Sequence, residues 1–84
     1  MKPTIIDVRT PGEFMDGNIN GSINIPLQEL PKRLKTISAY PQPLIVCCAS
    51  GIRSAQAKVI LNQNKISCEN GGSWLQVKIQ IHSK

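Results

Sequence analysis

Short apolar runs alternate with helix-like patterns along the 84 residues of this chain. Four runs have the length and the β-branched composition of short strands. They cover residues 4–8, 22–26, 44–47 and 66–68. The third run is apolar throughout, which is typical of a central parallel strand that is covered on both faces.

Helical patterns occupy the segments between these runs. Thr10 suits an N-cap and Pro11 the first position of a short helical turn. Apolar residues at 27, 30, 34 and 37 recur at spacings of three and four, which predicts a helix with Pro31 near its start. Residues 54–64 form another helical pattern. Residues 77–82 alternate like a strand although a helix is the usual element at this place, so the pattern leaves the tail open.

Strands that alternate with helices predict an α/β domain with a small, mainly parallel sheet flanked by helices. The length predicts a single domain over residues 1–84. Ligands of such sheets gather beyond the carboxyl ends of the strands. Cys48 directly follows the third predicted strand and therefore lies at that edge.

The formal net charge of +5 raises the question of a nucleic-acid partner. The basic residues are scattered, and the chain has only one Trp, one Tyr and one Phe for stacking. A solvated basic surface is therefore the preferred interpretation, and no nucleic-acid partner is expected. No segment is long and apolar enough to span a membrane, so no membrane partner is expected either.

The three cysteines, Cys47, Cys48 and Cys68, are an odd number and do not indicate a disulfide framework. The chain has no C-x-x-C pair, and its one histidine, His82, is far from the cysteines, so neither a metal site nor a cofactor is expected. Free thiols favour a reducing compartment. The start of the chain does not resemble a secretory signal. The expected location is the cytoplasm, or the periplasm if a signal peptide was removed beforehand.

Cys48 is the candidate nucleophile. A thiol attacks as its thiolate, and a turn that leads into a helix stabilises negative charge at the helix N-terminus. Gly51 allows successive N–H groups to face inward as an anion cradle, and Arg53 supplies a cation. Cys47 and Cys68 are interpreted as buried structural thiols.

Several ordered motifs resemble those of rhodanese domains. They are Ile-Asp-Val-Arg from residue 6, Pro-Gly-Glu-Phe from residue 11, Gly-Asn-Ile-Asn-Gly-Ser-Ile-Asn-Ile-Pro-Leu from residue 17, Cys-Ala-Ser-Gly-Ile-Arg-Ser from residue 48 and Glu-Asn-Gly-Gly-Ser-Trp from residue 69. The resemblance covers roughly residues 4 to 75, and in length the chain is similar to small single-domain rhodaneses.

The resemblance implies a sulfurtransferase that carries sulfur as a persulfide on Cys48. The donor would be thiosulfate or a persulfide, and the acceptor cyanide or a thiol. The substrate-binding loop would be Ala49, Ser50, Gly51, Ile52 and Arg53, whose amides would hold the terminal sulfur. Asp7 and Arg9 match the family's Asp-Val-Arg motif and are expected to support the site structurally; Arg53 is expected to pair with Asp7 or Glu13. A monomer is expected.

Three positions depart from the pattern of this family. Asn18 stands where a histidine is usual, and Trp74 follows Gly72 more closely than usual. Ala49, Ser50 and Ile52 carry no charge, whereas many thiosulfate-using members have basic residues there. We therefore expect slow turnover of thiosulfate and a protein or small-molecule persulfide as the natural donor.

Two other interpretations remain open from the sequence. Counting from Cys47 gives C-x5-R-S, the spacing of cysteine-dependent phosphatases, in which Cys47 would attack phosphorus and Arg53 would bind the phosphate oxygens. A glycine three residues after Cys48, and not after Cys47, argues against this. The other alternative is a non-catalytic rhodanese-like binding module, although the retained Cys48 disfavours it.

Overall fold

The computed structural model describes residues 3–82 as a four-stranded sheet with helices on both faces. The elements, in chain order, are β1 (Ile5–Asp7), α1 (Pro11–Asp16), β2 (Ile23–Asn24), a 3₁₀ helix (Leu27–Lys32), α2 (Leu34–Ser38), β3 (Leu44–Cys48), α3 (Ile52–Gln63), β4 (Cys68–Ser73) and α4 (Trp74–His82). The strand order is β2-β1-β3-β4, and each neighbouring pair is parallel. The predicted α/β class with a mainly parallel sheet is confirmed.

The core lies on both sides of the sheet because successive residues of β3 point to opposite faces. Val46 and Cys48 belong to the larger apolar cluster, which β3 shares with the 3₁₀ helix, α2 and α3. Cys47 belongs to the smaller cluster, in which Val77 of α4 packs against the other face. The two neighbouring thiols are therefore separated by the sheet.

The region of the first two predicted helices follows the sequence pattern only in part. Thr10 caps α1, with Pro11 at its first position, as predicted. The single helix expected over residues 27–37 is instead a 3₁₀ helix followed by α2, with Arg33 at the junction. Pro31 lies inside the 3₁₀ helix and not near its start. It has no N–H to donate to the preceding turn, and its ring would clash with the carbonyl four residues earlier, so a continuous α-helix through this position is disfavoured.

Strand β4 differs from the prediction at both ends. It begins at Cys68 and not at residue 66, and it continues through residues 70–72, which the sequence indicated as a loop. The register with β3 shifts between Val46 and Cys47, so one extra residue of β4, Gly71, is accommodated as a bulge. A Cβ at Gly71 would lie 2.5 Å from Cγ2 of Val77. The bulge therefore brings β4 and α4 together at a distance that only glycine permits.

The tail, which the sequence pattern left open, is the helix α4. Val77 and Ile81 are four residues apart, so they share one face of a helix as readily as one face of a strand. Both pack in the smaller cluster, whereas Ile79 is 67% exposed. In a strand Ile79 would share the buried face with Val77 and Ile81, so its exposure shows that the alternating pattern does not describe this segment.

Gly71→Ala should destabilise the domain, because its Cβ would meet Val77 and Ile45 at 2.5 and 2.8 Å. Overpacking of this kind typically costs about 1–3 kcal/mol of unfolding free energy. Gly12→Ala is the matched control: nothing lies within 4 Å of its Cβ, and it is in α1. Alanine there should stabilise by roughly 0.5–1 kcal/mol. Urea unfolding measures both changes, and an unchanged midpoint for Gly71→Ala would contradict the packing described here.

Candidate active site

Cys48 is the last residue of β3, at the carboxyl edge of the sheet, and its side chain is fully buried. Gly51 follows in the left-handed region, with φ 103° and ψ −9°, and serves as the N-cap of α3. An L side chain rarely adopts this conformation. The turn between Cys48 and α3 is therefore only three residues long.

The sulfur of Cys48 accepts hydrogen bonds from the start of α3. The Gly51 N–H is 2.9 Å from Sγ, and the Ser54 N–H is 3.4 Å from it. The first N–H groups of a helix have no intrahelical partner, and Gly51 has no side chain to cap them. The sulfur occupies the position of that missing cap. The Ser54 hydroxyl is also close, with Oγ 3.5 Å from Sγ.

Two opposing effects act on the Cys48 thiol. Burial would raise its pKa. The hydrogen bonds with the Ser54 side chain and with the N–H groups of Ser54, Gly51 and Ser50 outweigh burial, and the net shift of the pKa is downward. The turn thus favours the thiolate relative to an unperturbed cysteine.

The residues predicted to form the substrate-binding loop span the turn after Cys48 and the first turn of α3. Ala49 and Ser50 are exposed, and Gly51 begins the helix. Ile52 and Arg53 belong to the first turn of α3, which begins at residue 52 and not at residue 54, because Gly51 already supplies the N-cap. The N–H groups of Gly51 and Ser54 lie 2.9 and 3.4 Å from Sγ, and the Ser50 N–H also contributes to the lowered pKa of Cys48.

Arg53 binds the carboxylate of Glu13 with two hydrogen bonds, of 2.7 and 2.9 Å. These bonds, followed by the Thr10 N–H, lower the pKa of Glu13 to about 2. Of the two partners expected for Arg53, the structure therefore has Glu13. The pair links α1 to the first turn of α3 and leaves the guanidinium charge compensated beside Cys48.

Asp7 and Arg9 form a buried ion pair below the site, with Arg9 Nη2 2.8 Å from Asp7 Oδ2. Arg9 also donates to the carbonyls of Glu13 and Gly17, and its guanidinium lies 4.7 Å from the centroid of the Trp74 ring. These contacts join β1, the end of α1 and the start of α4. The supporting role of Asp7 and Arg9 stays a prediction.

Asn18, which stands where the family usually has histidine, donates from Nδ2 to the Phe14 carbonyl at 2.8 Å. The carbonyls in the last turn of a helix need such donors. Asn18 therefore satisfies the end of α1, and its observed contact does not involve Cys48.

The other two cysteines lie in apolar surroundings. Burial, with the Asp7 carboxylate as the next contribution, raises the pKa of Cys47 to about 12. Burial also raises the pKa of Cys68. All three cysteines are free thiols. The arrangement does not suit a phosphatase centred on Cys47, because its thiol is on the other face of the sheet from Cys48 and Arg53 is paired with Glu13.

Neither a metal centre nor a membrane span is evident in residues 3–82. No cluster of three or more His, Cys, Asp or Glu side chains there could hold a metal ion. None of the helices in that range is long and apolar enough to cross a membrane. A cavity of about 320 Å³ is present, but no predicted site residue lines it; its walls are Pro3, Ile5, Ile19, Asn20, Gly21, Ile81 and His82.

Comparison with known proteins identifies the family to which this site belongs. The model of the Rhodanese-like domain family matches residues 1–78. The chain belongs to the rhodanese-like domain family.

Related proteins and solved structures agree with this assignment. The chain is 39% identical over 59 residues to the thiosulfate sulfurtransferase PspE of Escherichia coli (strain K12), covering 69% of this chain and 57% of that protein. It is 40% identical over 63 residues to the uncharacterised protein YqhL of Bacillus subtilis (strain 168), covering 75% of this chain and 49% of that protein. The chain thus spans about half the length of these curated relatives. A solved E. coli rhodanese with anions superposes with a TM-score of 0.80 at 34% identity, covering 89% of this chain and 91% of that one.

Two polar side chains of this rhodanese-like domain have site contacts that the sequence did not reveal. Ser54 contacts Sγ and also donates to Asn70 Oδ1 at 2.6 Å. Asn70 in turn donates from Nδ2 to the Gly51 carbonyl at 3.2 Å. Both residues lie within motifs shared with rhodanese domains, which was the only signal available. Their contact joins positions 16 residues apart, and no local pattern predicts it.

Glu13→Gln should destabilise the domain at neutral pH and lose that effect in acid. Glutamine retains an oxygen for the Thr10 N–H and removes the charge that binds Arg53. Because the folded pKa is lowered from 4.5 to about 2, the stabilisation is complete above pH 4.5 and disappears as the pH falls towards 2. The pair is about one third exposed, so the difference at pH 7 should be roughly 0.2–1 kcal/mol.

Urea unfolding of both proteins between pH 7 and pH 2.5 or so measures this difference. Asp16→Asn is the control, since Asp16 is on the same helix and forms no ion pair within residues 3–82. A Glu13→Gln effect that is independent of pH would show that the carboxylate charge does not stabilise the fold.

Proposed function

We propose that this domain is a sulfurtransferase that forms a persulfide on Cys48 and passes the sulfur to a thiol or to cyanide. The best support is the environment of the Cys48 sulfur, which accepts hydrogen bonds from the N–H groups of Gly51 and Ser54 at the carboxyl edge of the sheet. These donors favour a thiolate, which is the nucleophilic form of cysteine. Membership in the rhodanese-like family and the sulfurtransferase name of the relative PspE support the same activity.

In the first half-reaction the Cys48 thiolate attacks the outer sulfur of thiosulfate. A bond forms between Sγ and that sulfur, the sulfur–sulfur bond of thiosulfate breaks, and sulfite leaves with the electron pair. The thiolate's electron pair becomes the new bond, the departing sulfite takes up the corresponding negative charge, and the terminal sulfur of the persulfide keeps the charge it had in thiosulfate. The N–H groups at the start of α3 are the natural donors for that anion.

In the second half-reaction cyanide or a thiolate attacks the terminal sulfur. The persulfide bond breaks, the thiolate of Cys48 is restored, and the product is thiocyanate or a new persulfide. The cysteine is regenerated without any change in its oxidation state across the cycle. No metal or cofactor enters this balance.

The charges around Cys48 favour a neutral or protein-bound persulfide over thiosulfate as donor. Thiosulfate is a dianion, and its approach to a thiolate is repulsive unless cations offset it. The nearest candidate cation, Arg53, is paired with Glu13, and Ala49, Ser50 and Ile52 add none. Cys48 is also fully buried, so a donor reaches Sγ only when its surroundings open locally.

Intact-mass measurement after incubation with a sulfur donor tests the chemistry directly. The wild-type protein should gain one sulfur atom on Cys48 and should produce thiocyanate when cyanide is added. Cys48→Ser should show neither result. Cys47→Ala should retain both, because the Cys47 thiol lies on the other face of the sheet and has a pKa of about 12.

The possible outcomes distinguish the alternatives. Loss of activity in Cys47→Ala together with cleavage of an aryl phosphate would replace this proposal by a phosphatase. A wild-type protein that gains no sulfur from thiosulfate or from a persulfide donor would favour the non-catalytic binding module.

Ala49→Lys should improve the use of thiosulfate. It places a cation at an exposed position next to Cys48, and one charge acting on a dianion at 5 Å or so in water is worth roughly 1–2 kcal/mol. We expect kcat/KM for thiosulfate to rise roughly five- to thirtyfold at low salt and the gain to shrink at about 0.5 M salt. Ala49→Gln is the uncharged control. An equal gain with a neutral persulfide donor would show that the effect is not electrostatic.

A further inference from the structure

Asn70 contacts both the Ser54 hydroxyl and the turn that holds Cys48. Its Oδ1 accepts from Ser54 Oγ at 2.6 Å and from the Gly72 N–H at 2.9 Å, and its Nδ2 donates to the Gly51 carbonyl at 3.2 Å. Donors at one end of the amide and an acceptor at the other fix its orientation. Asn70 thereby connects β4 to the start of α3.

The Ser54 hydroxyl has one proton and two neighbours that could receive it. The short contact with Asn70 Oδ1 uses this proton. While it does so, Ser54 Oγ can only accept from the Cys48 thiol, whose sulfur is 3.5 Å away. This arrangement suits the protonated form of Cys48, because a thiolate has no proton to donate.

A rotation of the hydroxyl about its Cβ–Oγ bond would direct the same proton to Sγ. Ser54 is fully buried, so no water competes for this proton in the closed site. Asn70 Oδ1 would keep the Gly72 N–H and would not be left without a donor. Asn70 itself is exposed, whereas Cys48 and Ser54 are fully buried. The Ser54 proton therefore has two satisfied arrangements, one for the thiol and one for an anionic sulfur.

We propose that Asn70 is a positioning residue for Cys48: its Oδ1 holds the Ser54 proton while Cys48 is a thiol and yields it to the sulfur when Cys48 is a thiolate or persulfide. The proton lost by Cys48 on ionisation goes to solvent, and only the Ser54 proton changes direction. This inference rests on the proposed function for its persulfide state and on the hydrogen bonds alone for its thiolate state.

An amide suits this role better than a carboxylate. A carboxylate would hold the hydroxyl proton more strongly, because charge-assisted hydrogen bonds are roughly twice as strong as neutral ones. It would also lack the donor for the Gly51 carbonyl. Asn70 competes for the proton weakly enough to release it.

The ionisable groups around the site are paired, so they do not override the effect of hydrogen bonds on the protonation of Cys48. The nearby charges occur in opposite pairs, and the neighbouring Cys47 thiol is buried with a raised pKa. On the elements packed around Cys48 the pairs are Asp7 with Arg9, Glu13 with Arg53, and Glu69 with Lys58; on α4, Lys78 lies over Trp74. With these charges compensated, hydrogen bonds decide the protonation of Cys48.

The test is the pH dependence of Cys48 alkylation by iodoacetamide, followed by intact mass. It is measured for Asn70→Asp and Asn70→Ala in two backgrounds, with Ser54 present and with Ser54→Ala. With Ser54 present, Asn70→Asp should raise the midpoint by about one pH unit more than it does without Ser54, because the carboxylate retains the proton. The shift of the midpoint caused by Asn70→Ala should be more downward with Ser54 present than with Ser54→Ala. The reason is that no competitor for the Ser54 proton remains.

The Ser54-dependent parts of the two midpoint shifts are expected to have opposite signs, upward for Asn70→Asp and downward for Asn70→Ala. This distinguishes control of the Ser54 proton from mere support of the turn. A residue that only braces Gly51 would shift the midpoint equally in both backgrounds, and that result would overturn the proposal. Asn20→Asp makes the same charge change at an exposed residue lining the cavity, and it should leave the midpoint unchanged. If Asn70→Asp does not fold, the Asn70→Ala pair alone decides the sign.

Alkylation needs no sulfur donor, so the two proposals fail separately. If the Asn70 midpoint shifts depend on Ser54 as expected but the protein never gains sulfur, the sulfurtransferase proposal is contradicted and the role of Asn70 stands. If the protein gains sulfur but the midpoint shifts do not depend on Ser54, the proposed role of Asn70 is overturned and the sulfurtransferase proposal stands.

Discussion

The buried ion pair between Asp7 and Arg9 is the constraint that organises the carboxyl edge of the sheet. Removing one partner of such a pair leaves an uncompensated buried charge, typically at a cost of about 3–5 kcal/mol. Arg9 needs acceptors for the rest of its guanidinium, and the carbonyls of Glu13 and Gly17 supply them. The position of α1 follows from this requirement. Because Glu13 in turn binds Arg53, the start of α3 is tied to the same buried charge.

The site above this pair is polar and charge-balanced. Its sulfur is surrounded by amide and hydroxyl groups, while every nearby cation has a carboxylate or an aromatic partner. Fixed dipoles of this kind stabilise an anion without attracting anions from solution over long distances. Such a site distinguishes its ligands by short-range contact and not by charge.

The fold was largely predictable because its determinants are local. The apolar run of β3, the Thr10-Pro11 cap and Gly51 each carry their structural meaning within a few residues. The remainder depends on distant contacts. Gly71 is required by Val77 and Ile45, and the Ser54–Asn70 hydrogen bond joins α3 to β4. The spacing of Val77 and Ile81 fits a strand and a helix equally well, so only packing against the sheet decides for α4.

The alternation of side chains along β3 has a consequence for the redox behaviour of the thiols. Cys47 points away from Cys48, and adjacent cysteines with diverging Cβ vectors cannot form an unstrained bridge. Cys68 faces the same cluster as Cys48 but pairs with Leu44, four strand residues or about 13 Å away. Cys48 therefore has no resolving partner within its own domain. A sulfenic acid or a persulfide formed there has no thiol of the same domain placed for an unstrained internal disulfide, so its removal depends on an external acceptor.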